Sequence, residues 1–310
     1  LFNSGGGLAW RVMMNKISLT PTSEISLWNG DVQLFLAGRP NLGIPLLDEK
    51  GWAPDLKYPP TAEAFGHFAE VRGLETVWWP DVSNFNRAFD ICLVARGATS
   101  RFWQPVPALN SYGLRFFRKA PVDGIIVSKG STVMFTTADC PTVILFCKHP
   151  AKLVAVVHAG RDSLLPEANF LTKAKEMSSV ERVAQFLLRG CAPEGIQAYI
   201  TCGIKAPNFA HPWSHEKHGE KNRLRTEHVI TRYGEGVLLR GREGYQNGHL
   251  SLDNIVAIQL RRLGIPLANI KGDAINTYTD KRDGEYLWFS RRRDRAKSTG
   301  SNLVIVKSNW

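Results

Sequence analysis

Residues 131–160, STVMFTTADCPTVILFCKHPAKLVAVVHAG, constrain the fold of this chain more than any other stretch. Three apolar, β-branched runs, 132–137, 142–147 and 153–157, follow one another across short polar or turn-like breaks. Such runs predict neighbouring strands in a buried sheet. At the breaks stand Asp139, Cys140 and His158. A thiol and an imidazole at the ends of rigid strands are raw material for a nucleophilic dyad or for half of a zinc site. They are equally residues that a core can absorb, since free cysteine is among the most buried residue types. Both readings stand on this stretch alone.

The 310 residues suffice for two ordinary domains or one large α/β unit. With 44% hydrophobic and 22% charged residues the composition is globular, which excludes disorder of the whole chain. The five cysteines, at 92, 140, 147, 191 and 202, form neither a disulfide framework nor a CxxC pair, a pattern suited to a reducing compartment. No apolar run is long enough to span a bilayer, and residues 1–9 lack the charged-then-apolar order of a signal peptide. A cytoplasmic location without a membrane partner is therefore expected. The formal charge of +11 suits nucleic acid, an acidic membrane surface or a small phosphorylated substrate. Its densest cluster, RRRDRAK at 291–297, runs into the apolar 303–306 and reads as a strand flank. No nucleic-acid module or aromatic-basic ladder accompanies the charge, so nucleic acid is not expected as a partner.

Residues 1–80 scatter Trp10, Trp28, Trp52, Trp78 and Trp79 among Gly, Pro and short β-like runs such as 31–36. They read as a strand-rich N-terminal extension of the same unit, in which His67 is structural. Apolar spacing predicts a helix over 81–97, then strands at 101–106, cut short by Pro105 and Pro107, and at 122–128. After Gly160 the period becomes helical, with 167–190 read as a helix in one or two segments closed by Gly190 and Pro193, and 196–203 returns to strand. Residues 204–225, holding His211, His215 and His218, read mainly as a loop beside the sheet, where binding residues tend to sit. Ser251 is a candidate N-cap for an amphipathic helix ended by Gly264. Short strands are expected at 273–278, 286–290 and 303–306. No internal repeat and no strong linker divides the chain.

Four segments in the same order resemble the YfiH or laccase-domain family, also called multicopper polyphenol oxidases. TADC at 137–140 and HAG at 158–160, with His158 following Cys140 by 18 positions, are similar to its central TADC and HAGWRG pair. SLDNIVAIQLRRLGIPLANI at 251–270 is similar to its Asp-containing helix and Gly-Val/Ile-Pro turn, TYTDKRDGEYLWFSRRRD at 277–294 to its late Phe-Ser-Tyr-Arg-Arg-Asp segment, and VDGIIVS at 122–128 completes the set. The resemblance covers residues 81–310. It implies an α/β fold, with mixed α+β sheets and flanking helices, shared with cytotoxic-necrotizing-factor-like deamidases. It further implies one metal ion, zinc rather than copper, held by two histidines and a cysteine, with purine nucleosides and phosphate as small-molecule partners in phosphorolysis or adenosine deamination. Cys140 and His158 match two of the three ligands. A thiolate and two imidazoles leave zinc a fourth position, where bound water has its pKa lowered to about 7. Phosphorolysis calls instead for an arginine fork on phosphate.

The chain departs from the pattern at telling places. Where the family carries Gln-Val-His-Gly, the source of its third ligand, this chain has Gln104, Pro105, Val106 and Pro107. HAGWRG has become HAGRDS, so Arg161 matches the family arginine across a deletion, Arg291 replaces a tyrosine, and 202–213 read CGIKAPNFAHPW. Three readings follow. In the first, a zinc-dependent nucleoside phosphorylase or deaminase uses Cys140 and His158 with a relocated ligand, His211 or His215. In the second, Cys140 is the nucleophile and His158 the base of a thiol hydrolase or deamidase. In the third, the chain is a binding protein and these residues pack. Asp139 joins Cys140 and His158 as a catalytic candidate, or caps a turn. Arg161, Arg292 and Arg293 are candidate substrate ligands, with Arg291 to Arg293 read as alternating strand positions, and Cys147 is read as core.

Overall fold

The computed structural model of the chain describes residues 21–39, 59–80, 82, 91–94, 103–118, 122–150, 152–241, 244–294 and 300–310. In chain order its elements begin with β1 (Ser23–Leu27), β2 (Val32–Ala37), helix α1 (Pro59–Val71), β3 (Thr76–Trp79), β4 (Ile91–Val94), β5 (Gln104–Pro105) and β6 (Arg115–Arg118). The centre follows with β7 (Gly124–Val127), β8 (Thr132–Thr137), β9 (Thr142–Cys147), β10 (Leu153–His158), α2 (Arg161–Leu164), α3 (Glu167–Leu171), α4 (Ser179–Leu188) and β11 (Ile196–Thr201). The last part holds α5 (Gly219–Tyr233), β12 (Leu238–Gly241), β13 (Gly244–Leu250), α6 (Leu252–Arg262), β14 (Ile270–Gly272), β15 (Lys281–Arg282), β16 (Glu285–Tyr286), α7 (Arg291–Asp294) and β17 (Asn302–Ser308).

Two mixed sheets hold most of these strands, while β12 with β13 and β15 with β16 form two-stranded pairs of their own. One mixed sheet has the order β1-β2-β17-β8-β3-β6-β5 and the other β14-β11-β9-β10-β7-β4. Because side chains alternate along a strand, each sheet has two faces to bury. Ile144 and Phe146 of β9 with Val154 and Val156 of β10 pack against Leu34, Leu36, Val133, Phe135, Val304 and Val306 of the other sheet. The intervening Val143, Leu145, Ala155 and Val157 lie under Val180, Val183 and Leu187 of α4 and Ile255, Val256 and Leu260 of α6. On the far side of the first sheet Phe35, Met134, Leu303 and Ile305 meet Phe65 and Phe68 of α1. The layers are therefore helix, sheet, sheet, helix. Burial on both faces is why β8 to β10 read as continuous apolar runs rather than alternating ones, and each such side chain contributes about 1.5–3 kcal/mol.

The three central strands, β7, β11, the paired segments α3 and α4, the α6 cap and β17 stand where the sequence puts them. Ser251 accepts a hydrogen bond from the Asn254 amide, and the helix ends before Gly264, whose φ of +87° suits glycine. Other expectations are corrected. Within the expected helix 81–97, residues 91–94 form β4, parallel to the edge of β7, where hydrogen bonds were on offer; residues 83–90 lie outside the described ones. The expected strand 101–106 is reduced to β5, with 101 and 102 outside the described residues. The loop 204–225 ends early, since Gly219 opens α5. At 273–278 a single bridge at Asn276 and a turn replace the strand, and 286–290 keeps only the end of β16. Arg291 to Arg293 form a helical turn rather than a strand. In the N-terminal part α1 was not anticipated, and His67 lies exposed on it. No helix of the described residues is long and apolar enough to cross a membrane.

The α4 start illustrates how the outer layer is fixed. Ser178 Oγ accepts from the Glu181 amide at 3.1 Å, the Glu181 carboxylate accepts from the Ser178 amide at 2.8 Å, and Ser178 Oγ donates to Gln259 Oε1 of α6 at 2.8 Å. Ser178→Ala removes the cap and strands a buried amide oxygen. It is expected to lower stability by about 2 kcal/mol, read as a lower urea midpoint at unchanged slope.

Candidate active site

The site forms at one end of the sheet sandwich, where the chain crosses from β8 in one sheet to β9 in the other through Ala138, Asp139, Cys140 and Pro141. Register aligns the neighbouring strand ends there. His158 pairs with Thr142, Thr142 with Thr201, and Thr137 with Asn302 across the other sheet. The crossing is tied down by Ala159 N donating to Pro141 O and Ile204 N donating to Asp139 O, both at 2.8 Å.

Cys140 and His158 converge. A Cβ built on Gly160 would lie 3.0 Å from His158 Cε1 and 3.3 Å from Cys140 Sγ, so both side chains approach one point beside Gly160, where any side chain would crowd them. A side-chain hydrogen bond joins them. Behind the imidazole lies Asp123, the residue before β7. The β7–β10 register sets it opposite His158, whose amide donates to Asp123 O at 2.7 Å. His158 Nδ1 meets Asp123 Oδ1 at 3.3 Å, and Ser163 Oγ donates to Asp123 Oδ2 at 2.6 Å. His158 and Asp123 are only 2% and 1% exposed. Burial pulls the His158 pKa down, but the Cys140 charge and the Asp123 hydrogen bond outweigh it, and the pKa is pushed up to about 10. Cys140, His158 and Asp123 thus form a thiol–imidazole–carboxylate relay. The sequence reading quoted VDG without assigning Asp123 a role; its signal was a carboxylate immediately ahead of an apolar strand.

Asp139 serves the frame. Its carboxylate accepts from Thr277 Oγ1 at 2.9 Å and from Arg292 N at 2.8 Å, with Ser290 as a third donor, and its own pKa is raised by burial. It joins the crossing to residues 277–292. Arg293 is committed likewise. Its guanidinium donates to Thr277 O, Tyr278 O, Trp288 O and both oxygens of Asp294 and stacks on Tyr286, so it latches α7 rather than offering donors to a substrate. Arg39 adds a second hand on Asp294.

A cationic flank borders the relay. Arg161 donates to Asp162 through Nε at 2.9 Å and Nη2 at 3.1 Å, while its Nη1 lies 3.4 Å from His211 Nε2. Arg225, 1% exposed, donates to Asp162 from the other side at 3.2 Å, and its Nε lacks a partner. Burial opposes ionisation of Asp162, yet hydrogen bonds from Arg161 and the two arginine charges hold its pKa low. Arg292 lies over the Phe209 ring, 5.0 Å from its centre, and Arg291 feels the charges of Cys140 and Asp139. His211 is 1% exposed, and burial and the charges of Arg161, Arg225 and Arg292 drive its pKa well down. It is neutral, with Nδ1–H directed to Phe209 O at 3.1 Å and the Nε2 lone pair turned to Arg161.

The expected three-ligand zinc centre does not fit this donor set. Cys140 and His158 supply two donors, but the lone pair of His211 is turned to a guanidinium, where a dication would be repelled. His215 and His218 lie against each other with tilted rings, 4.8 Å between centres, in an exposed turn. Gln104 and Pro105 lie in β5 at the edge of the first sheet, three strands from β8. Among the described residues no three His, Cys, Asp or Glu side chains are placed so as to hold a metal ion. Cys147 is core, as expected.

A family model described as multi-copper polyphenol oxidoreductase laccase matches residues 106–309. Among solved structures the chain is similar to the hypothetical protein YfiH of Bacillus licheniformis, at 16% identity and a TM-score of 0.64, covering 95% of this chain and 97% of that one. It is also similar to YlmD from Geobacillus stearothermophilus, at 18% identity and a TM-score of 0.62, over 90% and 92% of the two chains. A Neisseria meningitidis protein of the DUF152 family aligns at 14% identity and a TM-score of 0.60, over 93% and 99%. No curated protein matches. At these identities the structural likeness establishes the fold.

The relay carries a pH signature. Because His158 binds its proton more tightly folded than unfolded, its contribution is fully present below about pH 6.5 and is lost as pH rises towards 10. Asp123→Asn is expected to cost about 2 kcal/mol at pH 6, with the gap to the parent chain closing as pH approaches 10. Melting temperatures of both proteins across that range test it.

Proposed function

The chain belongs to the multi-copper polyphenol oxidoreductase laccase family, and from that premise we propose that it is a cysteine-dependent hydrolase acting on an amide or ester that carries a negative charge. The observation that carries this reading is the relay, in which Asp123 orients the imidazole that faces the Cys140 thiol. Without a third, orienting residue a Cys–His pair is weak support for catalysis. With it the imidazole has a fixed orientation and a proton to hand on.

In this reading the Cys140 thiolate attacks the carbonyl carbon, and His158 gives its Nε2 proton to the leaving nitrogen or oxygen as that bond breaks, leaving a thioester. A water molecule then loses a proton to His158 and attacks the thioester carbon. The carboxylic acid departs, and the sulfur returns as thiolate beside the imidazolium. Arg161, Arg291 and Arg292 are suited to hold an anionic group of the substrate, and Arg291 also to stabilise the thiolate. Asp139 and Arg293 position the segments that carry these groups.

The arginines favour a second reading, in which Arg161 and Arg292 hold phosphate and the substrate is a purine nucleoside. A phosphate oxygen would then attack the anomeric carbon while the base leaves with a proton from His158.

One set of assays separates the two. Ammonia release from a glutamine-containing acidic peptide is expected to fall by about a thousandfold or more in Cys140→Ala. Iodoacetamide is expected to abolish it and a chelator to leave it unchanged. Arg292→Ala is expected to raise KM about tenfold or more with a smaller effect on kcat. Phosphate-dependent hypoxanthine release from inosine that survives Cys140→Ala, without ammonia release, would replace the first reading with the second. Inactivity on both, with a ligand that raises the melting temperature, would favour a binding protein.

A further inference from the structure

A second thiol pair lies away from the site, in the core between the second sheet and its helices. Cys147 ends β9, and Cys191 lies in the connection from α4 to β11; both belong to one apolar cluster, are 2% and 6% exposed, and are free thiols. Strand pairing brings the two segments together. Cys147 is paired with Ile196, the first residue of β11, and the turn Pro193–Gly195 folds Cys191 back so that its Sγ lies 3.1 Å from a Cβ built on Gly195. A side-chain hydrogen bond joins the two thiols. Cys147 Sγ also donates to His149 O at 3.2 Å.

We propose that Cys147 and Cys191 are an oxidisable dithiol, which a hydroperoxide converts to a disulfide joining the end of β9 to the entry of β11. The pair is shielded yet shallow. Residues 148–150 on one side and 189, 190 and 192 on the other are exposed, so an oxidant has one layer of side chain to pass. Burial, with Cys191 as a neighbour, pushes the Cys147 pKa up to about 12 and keeps it a thiol at neutral pH. Cys191, the more exposed of the two and flanked by the exposed 190 and 192, is the sulfur that meets the oxidant. Its sulfur takes an oxygen from the hydroperoxide, which is reduced to water or an alcohol, and becomes a sulfenic acid. The Cys147 sulfur then attacks the Cys191 sulfur, the S–S bond forms, and the hydroxyl leaves with the Cys147 proton as water.

The ring so closed encloses residues 148–190, which include β10 with His158 and α2 with Arg161. Cross-linking the ends of that segment restricts the unfolded chain more than the folded one, where the two sulfurs already meet. Oxidation is expected to raise the melting temperature.

The test uses the full chain carrying Cys140→Ser, so that the site thiol does not compete. Reduced protein is treated with hydrogen peroxide, unreacted thiols are blocked with N-ethylmaleimide in denaturant, and the chain is digested without reductant. A cross-linked peptide pair containing Cys147 and Cys191, lighter by two hydrogens and separated by dithiothreitol, together with a higher melting temperature, supports the proposal. Maleimide on both cysteines after peroxide, sulfinic acid at Cys191, or a cross-link to Cys202 instead overturns it. A chain that also carries Cys191→Ser is expected to show no cross-link at Cys147; a cross-link there would count against the pairing, and the peptide map of the first protein decides the matter even where that variant fails to fold.

Discussion

The buried contact between Asp123 and His158 is the interaction on which the rest of the site depends. A carboxylate and an imidazole that are almost without solvent lose hydration that only each other, and a few further donors, can replace. Here the replacement is complete on the carboxylate side, with Ser163 on one oxygen and His158 on the other. The same two residues are joined through the backbone, so the strand register that pairs β7 with β10 and the charge pair that orients the imidazole enforce each other. A one-residue slip of β10 would place Val157 opposite Asp123 and leave a charge buried alone. Cys140 enters from another direction, on the crossing between the two sheets, and meets the imidazole beside Gly160.

Much of the fold was legible because the strands carry both-face burial in their composition. Thr142–Cys147 is buried at every position, and no helix of similar length would need six such residues in a row. What misled the reading were short apolar runs whose partner decides their state. ICLV at 91–94 fits a helical spacing as well as a strand, and the open edge of β7 settles it. The helix Gly219–Tyr233 was hidden for the opposite reason: its sequence, GEKNRLRTEHVITRY, is mostly polar, and among its buried positions is Arg225, whose burial follows from Asp162 and not from its own chemistry.

The site divides along a similar line. Cys140 and His158 stood out because a thiol and an imidazole at the ends of apolar runs can serve chemistry as well as packing. Asp123 did not, since a carboxylate before a strand is also ordinary turn chemistry and only the register reveals its partner. The arginines at 291–293 show the limit of residue type as a guide. Three consecutive cations on one helical turn go to three different fates: Arg291 within the field of the Cys140 and Asp139 charges, Arg292 over Phe209, and Arg293 into a latch on carbonyls and Asp294. Which one serves a ligand depends on the turn, which a strand reading at that place had obscured.

The same connections explain how a site of this form stands without a third metal-ligating side chain. A metal ion in such a place would draw together the crossing, the end of β10 and a further segment. Here carboxylates and arginines do that joining. Asp139 binds the crossing to residues 277–292, Asp162 of α2, held also by its neighbour Arg161, binds α5 through Arg225, and Asp294 gathers Arg39 and Arg293 at the base of α7. Each carboxylate has two or more donors, which is what keeps a half-buried charge from costing more than it returns. The cations exceed the carboxylates on the Arg161 side, and His211 answers by staying neutral rather than adding to them. In the hydrolase we propose, it is this surplus positive charge that favours an anionic group beside Cys140.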